Sequence, residues 1–370
     1  MKRLLLFITL ATASAFANSD TQTCVKCHPL IVQEFQGSMH KNSSVAKDEI
    51  HAAIWNIHPL KEKENGYATC AECHAPNVAD PLSSTEGISC ITCHTITNIE
   101  EHTSVNKNVY GDNKKYLYSA QADKKGEVIK YKTKSSWLGM VKKSEGSPYH
   151  DIDYSSEMFY DGKVCMGCHS HRQNSHGFDL CKTDDEGITS NGENCISCHM
   201  PKVEGSATTI RESLTHSFHG FAGSVMHSDM LGKYIDLSFS KTANGFDVSI
   251  KNNSPHKLLT HPLRVAELKV NIIRNEKAIP LKSNQFLRVI GRDGEPSMPW
   301  LANEVILDSM IGANENRTIS FSDALQAGDS VEVTLGYYLV NPKSGERLGL
   351  KNNKKASKFN ILKQQYFKAN

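Results

Sequence analysis

Ten of the 11 cysteines fall into five copies of one pentapeptide: Cys24-Val25-Lys26-Cys27-His28, Cys70-Ala71-Glu72-Cys73-His74, Cys90-Ile91-Thr92-Cys93-His94, Cys165-Met166-Gly167-Cys168-His169 and Cys195-Ile196-Ser197-Cys198-His199. Two thiols three residues apart share one turn of helix, where both can form thioethers to the two vinyl groups of a porphyrin. The histidine beside the second thiol then presents its imidazole to the iron. The pattern predicts five covalently bound haem c groups, with His28, His74, His94, His169 and His199 as proximal ligands. Other chemistries need other patterns. A structural zinc requires Cys pairs converging on a tetrahedron, without a histidine behind every pair. A thioredoxin-like dithiol needs only one or two C-x-x-C motifs, in a βαβ setting that this sequence does not show. Cys181 stands outside the motifs. It reads either as a redox thiol at a haem edge or as a buried reduced cysteine, and the second reading is preferred.

Seventeen histidines less five proximal ones leave His40, His51, His58, His102, His150, His171, His176, His216, His219, His227, His256 and His261 for at most five distal positions. Bis-histidine ligation makes a low-spin iron suited to electron transfer, whereas an open iron face binds substrate. The histidines suffice to close every haem, but nothing in their number requires it.

The elements that must hold these groups divide the chain. All five motifs lie between Cys24 and His199, separated by polar connections rich in Gly, Ser and Asn with little strand alternation. Short helices and loops wrapped around porphyrins are expected over 18–230, with a motif-free insert at 95–164. The motif pairs close in sequence, Cys70 with Cys90 and Cys165 with Cys195, are expected to hold adjacent haems. From Tyr234 the pattern alternates: Ile235, Leu237, Phe239; Phe246, Val248, Ile250; Ala266, Leu268, Val270, Ile272; Val331, Val333, Leu335, Tyr337, Leu339. Such runs, separated by turns at Ala243-Asn244-Gly245 and Ala327-Gly328-Asp329, predict an antiparallel β-sandwich of about seven or eight strands over 231–370. The fold class is α+β multidomain, a mostly helical and loop haem region followed by the sandwich. The tail from Lys351 to Asn370 reads as a packed extension or a partly disordered end.

Residues 1–17 form an export signal: Lys2 and Arg3, an apolar run from Leu4 through Leu10, and Ala15-Phe16-Ala17 as the cleavage site. No later stretch of about 20 apolar residues could span a bilayer. The mature protein is therefore expected in the periplasm. Losing Lys2 and Arg3 takes 42 basic residues to 40, matching the 40 acidic ones. Haem propionates would then make the holoprotein acidic by about 5 to 10 charges, which disfavours nucleic acid and favours basic redox partners.

Several segments resemble the multihaem cytochrome superfamily that includes the tetrahaem electron carrier of ammonia oxidisers, hydroxylamine oxidoreductase, octahaem tetrathionate reductase and pentahaem nitrite reductase. They are Glu34-Phe35-Gln36-Gly37-Ser38-Met39-His40, Gly87-Ile88-Ser89, Ser147-Pro148-Tyr149-His150, the fifth motif continuing into Met200-Pro201, and Thr215-His216-Ser217-Phe218-His219-Gly220. The resemblance covers roughly residues 20–230. It implies His40, His150 and His216 as distal ligands, with His58 and His102 as weaker candidates. His51, His171, His176, His219 and His227 follow, with a hydrogen bond to a propionate as their alternative. Asn252-Asn253-Ser254-Pro255-His256-Lys257-Leu258-Leu259-Thr260-His261 is similar to a segment in β-domains fused to some multihaem cytochromes. That likeness implies that His256 reaches across to a haem; the alternative is a turn histidine.

Three functions fit. The first is a periplasmic pentahaem electron carrier in anaerobic respiration, between a quinol-linked donor and a periplasmic reductase or other cytochrome. The second is a reductase or oxidase of a small nitrogen or sulfur compound at one five-coordinate haem. The third is a haem-bearing subunit whose β-region docks to a respiratory complex. All five motifs end in histidine, unlike the lysine-bearing motif of pentahaem nitrite reductase, so that activity loses support.

Overall fold

The computed structural model describes residues 20–135, 142–183, 192–223 and 226–369; the export signal at 1–17 lies outside them. The haem-motif region is built from short helices, among them Pro29–Gln36, Glu49–Ile57, Ala68–His74, Cys90–His94, Met166–His169 and Cys195–His199. Helices this short are unstable alone and need local caps and tertiary contacts. Two motif helices carry capping boxes. The Ser89 hydroxyl accepts from Thr92 N–H at 3.2 Å while Ser89 N–H donates to Thr92 Oγ1 at 3.2 Å. Asn194 Oδ1 accepts from Ile196 and Ser197 N–H, and Asn194 N–H donates to Ser197 Oγ at 2.9 Å. Each box satisfies orphan donors at the helix start and so fixes where the first motif thiol emerges.

The insert departs from the helix-and-loop expectation. Ile96–Glu100 pairs antiparallel with Lys107–Tyr110. Tyr116–Tyr118 runs parallel to Asp151–Asp153, which pairs antiparallel with Val128–Ile129. Lys132–Ser135 pairs with Lys142–Glu145. These strands span two to five residues, too short for a period-2 pattern to stand out from the sequence.

The C-terminal region holds two antiparallel sheets. Ile235–Thr242, Gly245–Asn252 and Asn316–Phe321 form one of three strands. The second has seven, with Val265–Arg274 central between Asn284–Arg292 and Ser330–Tyr338. The described strands thus number ten rather than seven or eight, because Lys277–Pro280, Glu295–Pro296 and Glu304–Asp308 are short edge additions. The tail is ordered: Phe359–Lys368 pairs with Ser330–Tyr338 along its whole length. Both sheets feed one core. Phe246, Val248 and Ile250 come from the smaller sheet and Leu268, Val333 and Leu335 from the larger, and all six are fully buried. Phe246 stacks on Phe321 with ring centres 5.1 Å apart. Phe246→Ala is expected to cost about 3–5 kcal/mol, seen as a lower denaturant midpoint of the holoprotein.

The two regions are joined by specific contacts. Ile50 and Ala53 of helix Glu49–Ile57 pack on the β-core. Arg288 donates to the carbonyls of Leu180 and Asp179 at 2.7 and 3.0 Å, and Asn174 donates to those of Pro299 and Ala302 at 2.8 and 2.6 Å. The β-region therefore forms one wall of the space that the motif region surrounds.

Candidate haem cavity and its histidine pairs

A single continuous cavity of about 2970 Å³ runs through the protein, and all ten motif cysteines and all five motif histidines line it. Ordinary ligand pockets measure about 300–1,000 Å³, so this space is sized for several large cofactors. The cysteines carry no disulfides. Among the described residues no group of three or more His, Cys, Asp or Glu side chains is arranged to hold a bare metal ion. The donor set instead fits covalently attached haem, with each porphyrin supplying its own in-plane ligands.

Contacts between thiols show which motifs are neighbours. Cys24 lies beside Cys90, Cys73 beside Cys168, and Cys165 beside Cys195. The first motif is thus beside the third, the second beside the fourth, and the fourth beside the fifth. Cys165 and Cys195, close in sequence, are neighbours here, and Cys90 also has Cys24 beside it. Helix Asp20–Cys24 brings this about: Thr21 is fully buried and bonds both Glu86 and the Cys90 thiol.

A histidine that ligates through Nε2 needs its Nδ1 proton directed at an acceptor. Nδ1–H donates to a carbonyl in four of the five motif histidines: His28 to Ala207 at 2.8 Å, His74 to Ser43 at 3.3 Å, His94 to Tyr118 at 2.6 Å and His199 to Ala222 at 2.8 Å. A carbonyl only accepts, so each Nε2 presents its lone pair to the cavity. Burial holds His94, His169 and His199 below the usual histidine range and takes His74 down to about 4. Neutral imidazole is the ligating form.

Two imidazoles sharing one metal stand about 6.3 Å apart between ring centres, since each nitrogen binds at about 2.0–2.1 Å and lies ~1.1 Å from its ring centre. Three pairs match that figure: His28 with His150 at 6.3 Å, His94 with His219 at 6.4 Å, and His199 with His256 at 6.3 Å. His169 faces His40 at 5.9 Å. In the first three, the second histidine also gives its Nδ1 proton to a carbonyl: His150 to Asp151, His219 to Ser217 and His256 to Lys257. His40 Nδ1 is buried without a partner. Its position comes from backbone bonds of Ile88 to His40 O and Gly87 to Lys41 O, both 2.9 Å. A Cβ on Gly87 would stand 2.1 Å from Ser43 Oγ, so only glycine permits that approach.

The other predicted residues are placed differently. Both ring nitrogens of His216 are engaged: Nδ1 with Gly205 O and Nε2 with Glu34 Oε1, each at 2.9 Å. No free lone pair remains there; both His216 and His219 border the cavity, but it is His219, three residues on and ranked lower from the sequence, that faces a motif histidine. His102 is exposed, 3.6 Å from Glu100, and does not line the cavity. His58 lines it, but its Nδ1 accepts from Leu60 N–H at 3.1 Å, which leaves the proton on Nε2. His51 lies 4.2 Å from His74, beside its ring, too close to share a metal with it. His171 is bonded to His102 O and His227 packs on Phe218. His176 is on the cavity wall. Cys181 also lines the cavity, where burial pushes its thiol up.

Residues 23–95 match the family described as cytochrome c554 and c-prime. Among solved structures, the chain is similar to a penta-heme cytochrome c552 from Thermochromatium tepidum. The match has a TM-score of 0.66 and 21% identity, covering 94% of this chain and 97% of the other. No curated protein sequence matches. Residues 23–95 are thus similar to a cytochrome c family, the fold is that of the penta-heme cytochrome, and the donor set of the cavity fits covalently bound haem. No described helix is long and apolar enough to cross a membrane.

Proposed function

We propose that the chain is a five-haem periplasmic electron carrier of anaerobic respiration, with four irons closed by histidine pairs. The carrying observation is the set of ring spacings at His28/His150, His94/His219, His199/His256 and His169/His40, close to what a shared metal needs. Cys24/Cys27, Cys70/Cys73, Cys90/Cys93, Cys165/Cys168 and Cys195/Cys198 would hold the porphyrins. Bound haem supplies reversible one-electron chemistry, with potentials set by axial ligands and burial. The chain's own part is to fix imidazole tautomers, exclude water and keep motifs adjacent, as the buried Thr21–Glu86 contact does for the first and third. The neighbouring motifs are the first and third, the second and fourth, and the fourth and fifth. Export by residues 1–17 and a quinol-linked donor complete the reading.

A second reading is favoured at one site. His74 has no partner at sharing distance among the described residues, since His51 lies beside it at 4.2 Å. Its haem would keep an open face and take an external ligand. A pyridine haemochrome assay should return five haems per chain, and ferric EPR should show four low-spin irons and one high-spin iron. A haem count other than five, or fewer than four low-spin irons, would overturn the carrier reading. Five unreactive low-spin irons would leave the carrier and remove the open face.

A further inference from the structure

Part of the insert differs in charge from the rest of the chain. Residues 107–145 carry ten lysines and four acids, a net charge of +6, in a sequence whose 42 basic and 40 acidic residues nearly cancel. Lys115, Lys130, Lys132 and Lys134 are exposed, and beside them Val128 and Tyr131 are 42% and 45% exposed. All six lie off the cavity wall, so bound haem would not cover them. Lys114 and Lys124 do line the cavity, where haem carboxylates would engage them, and belong to that interior. Strand Lys132–Ser135 shows which way the outer lysines point. Thr133 pairs with Ser144, which faces the cavity, so Lys132 and Lys134, alternating with Thr133, point away from it.

The patch surrounds a histidine of the first motif's pair. His150 has lysine-bearing backbone on both sides: Asp151 N–H donates to Lys115 O at 2.7 Å, and Ile152 pairs with Ile129, next to Lys130. Gly146 packs so closely on Lys130 that a Cβ there would stand 2.8 Å from its carbonyl oxygen. The loop from Ser147 to His150 borders the cavity, so the lysines stand one loop away from the ring that faces His28 at 6.3 Å. Internal ion pairs do not consume them. Among the described residues, the pair that this stretch makes is Lys125 with Glu157 at 2.6 Å. The lysine-rich tail is used differently: Lys351 pairs with Glu346, Lys355 with Asp48, and Lys363 donates to Gly232 O.

Building on the electron-carrier reading, we propose that this outward face of the insert is the docking surface for an acidic redox protein that exchanges electrons with the first motif's haem. Like charges gathered without internal partners produce a local positive field, which steers an oppositely charged protein into contact and speeds association. Val128 and Tyr131 give that contact an apolar centre within a polar rim, the anatomy of a protein interface. On contact the reduced partner loses one electron and the ferric iron between His28 and His150 gains it, with no bond made or broken. Haem carboxylates would make the remainder of the molecule repel the same partner, so the insert also fixes its orientation.

The test is stopped-flow reduction of the intact ferric holoprotein by the hydroquinone of a flavodoxin, an acidic one-electron donor, with carbodiimide cross-linking of the same mixture. Raising the ionic strength from about 0.01 M to about 1 M shrinks the Debye length from about 30 Å to about 3 Å and should slow the wild-type reaction about 10-fold or more. Lys130→Glu with Lys134→Glu should slow it by a similar factor at low salt and flatten the salt dependence. Lys354→Glu with Lys358→Glu, the same charge change at exposed positions of the tail, should not. Cross-links read by mass spectrometry should fall on Lys115, Lys130, Lys132 or Lys134 of the wild-type protein, a readout that needs no variant to fold. If the patch variant reacts at the wild-type rate, or the cross-links fall on the tail, the docking surface is refuted while the carrier stands. Should the patch variant instead lose binding to phosphatidylglycerol vesicles with its flavodoxin rate unchanged, the lysines serve a membrane surface and the proposal is overturned. Haems that fail to titrate reversibly in a mediated redox titration would sink the carrier reading, and the docking surface with it.

Discussion

Replacing His219 with alanine is expected to turn one low-spin ferric iron high-spin and open it to cyanide, whereas replacing His216 is expected to leave every iron as it was. The two histidines are three residues apart, yet their environments assign them opposite roles. His219 gives its Nδ1 proton to Ser217 O at 2.6 Å, lies 6.4 Å from His94 with rings 19° from parallel, and is taken by burial to about 4. It is neutral at every physiological pH and offers its Nε2 lone pair toward His94. His216 instead pairs with Glu34, and the two side chains are 1% and 13% exposed. The other Glu34 oxygen accepts from His219 N–H at 2.8 Å, so the carboxylate anchors the ligand's backbone. His216→Ala leaves that carboxylate buried without its partner, a loss of about 3–5 kcal/mol, visible as a lower unfolding midpoint. Spectra separate the outcomes: a high-spin signal from the His216 variant, with the His219 variant unchanged, would reverse the assignment.

Much of this arrangement was legible in the sequence, because covalent attachment demands a fixed local spacing. The five motifs and the strands at 235–242, 245–252, 265–274 and 330–338 all follow from patterns spanning ten residues or fewer. The distal side depends on contacts far apart in the chain. His28 and His150, or His199 and His256, meet only through the tertiary fold, and no local rule distinguishes His219 from His216, since His219 lies in the turn past the end of strand Thr215–Ser217. Motif adjacency was obscured for the same reason. Cys24 meets Cys90 because Thr21 is buried against Glu86, a contact 65 residues apart. The tautomers of His58 and His261 are set by backbone N–H groups two residues downstream, a feature of turn geometry rather than composition.

His256→Ala is the variant expected to couple haem ligation most directly to the β-region. The histidine sits in a loop that leaves strand Gly245–Asn252 and is held rigidly from below. Asn252, fully buried, donates to His256 O at 2.9 Å and to Gly312 O at 2.8 Å, and Ser254 Oγ donates to the same His256 carbonyl at 2.9 Å. His256 Nδ1–H is fixed on Lys257 O at 2.7 Å, and its ring lies 6.3 Å from that of His199, only 16° from parallel. Removing the ring should convert the fifth motif's iron to high spin and move its potential by on the order of 100 mV, a fraction of the ~0.8 V span that axial ligation commands. Added imidazole should restore the low-spin spectrum, since the space left is that of the lost ring. Asn252→Ala keeps the ligand but removes one of two donors from each of the His256 and Gly312 carbonyls, at a cost of about 1–3 kcal/mol for the two bonds, and should lower stability while only loosening the ligation. Were His256→Ala to leave all four low-spin signals intact, the β-region would contact the haem region through packing alone. If instead the signal is lost and imidazole brings it back, the β-region is an integral part of the redox centre, because one of its loops completes a coordination sphere that the motif region cannot close.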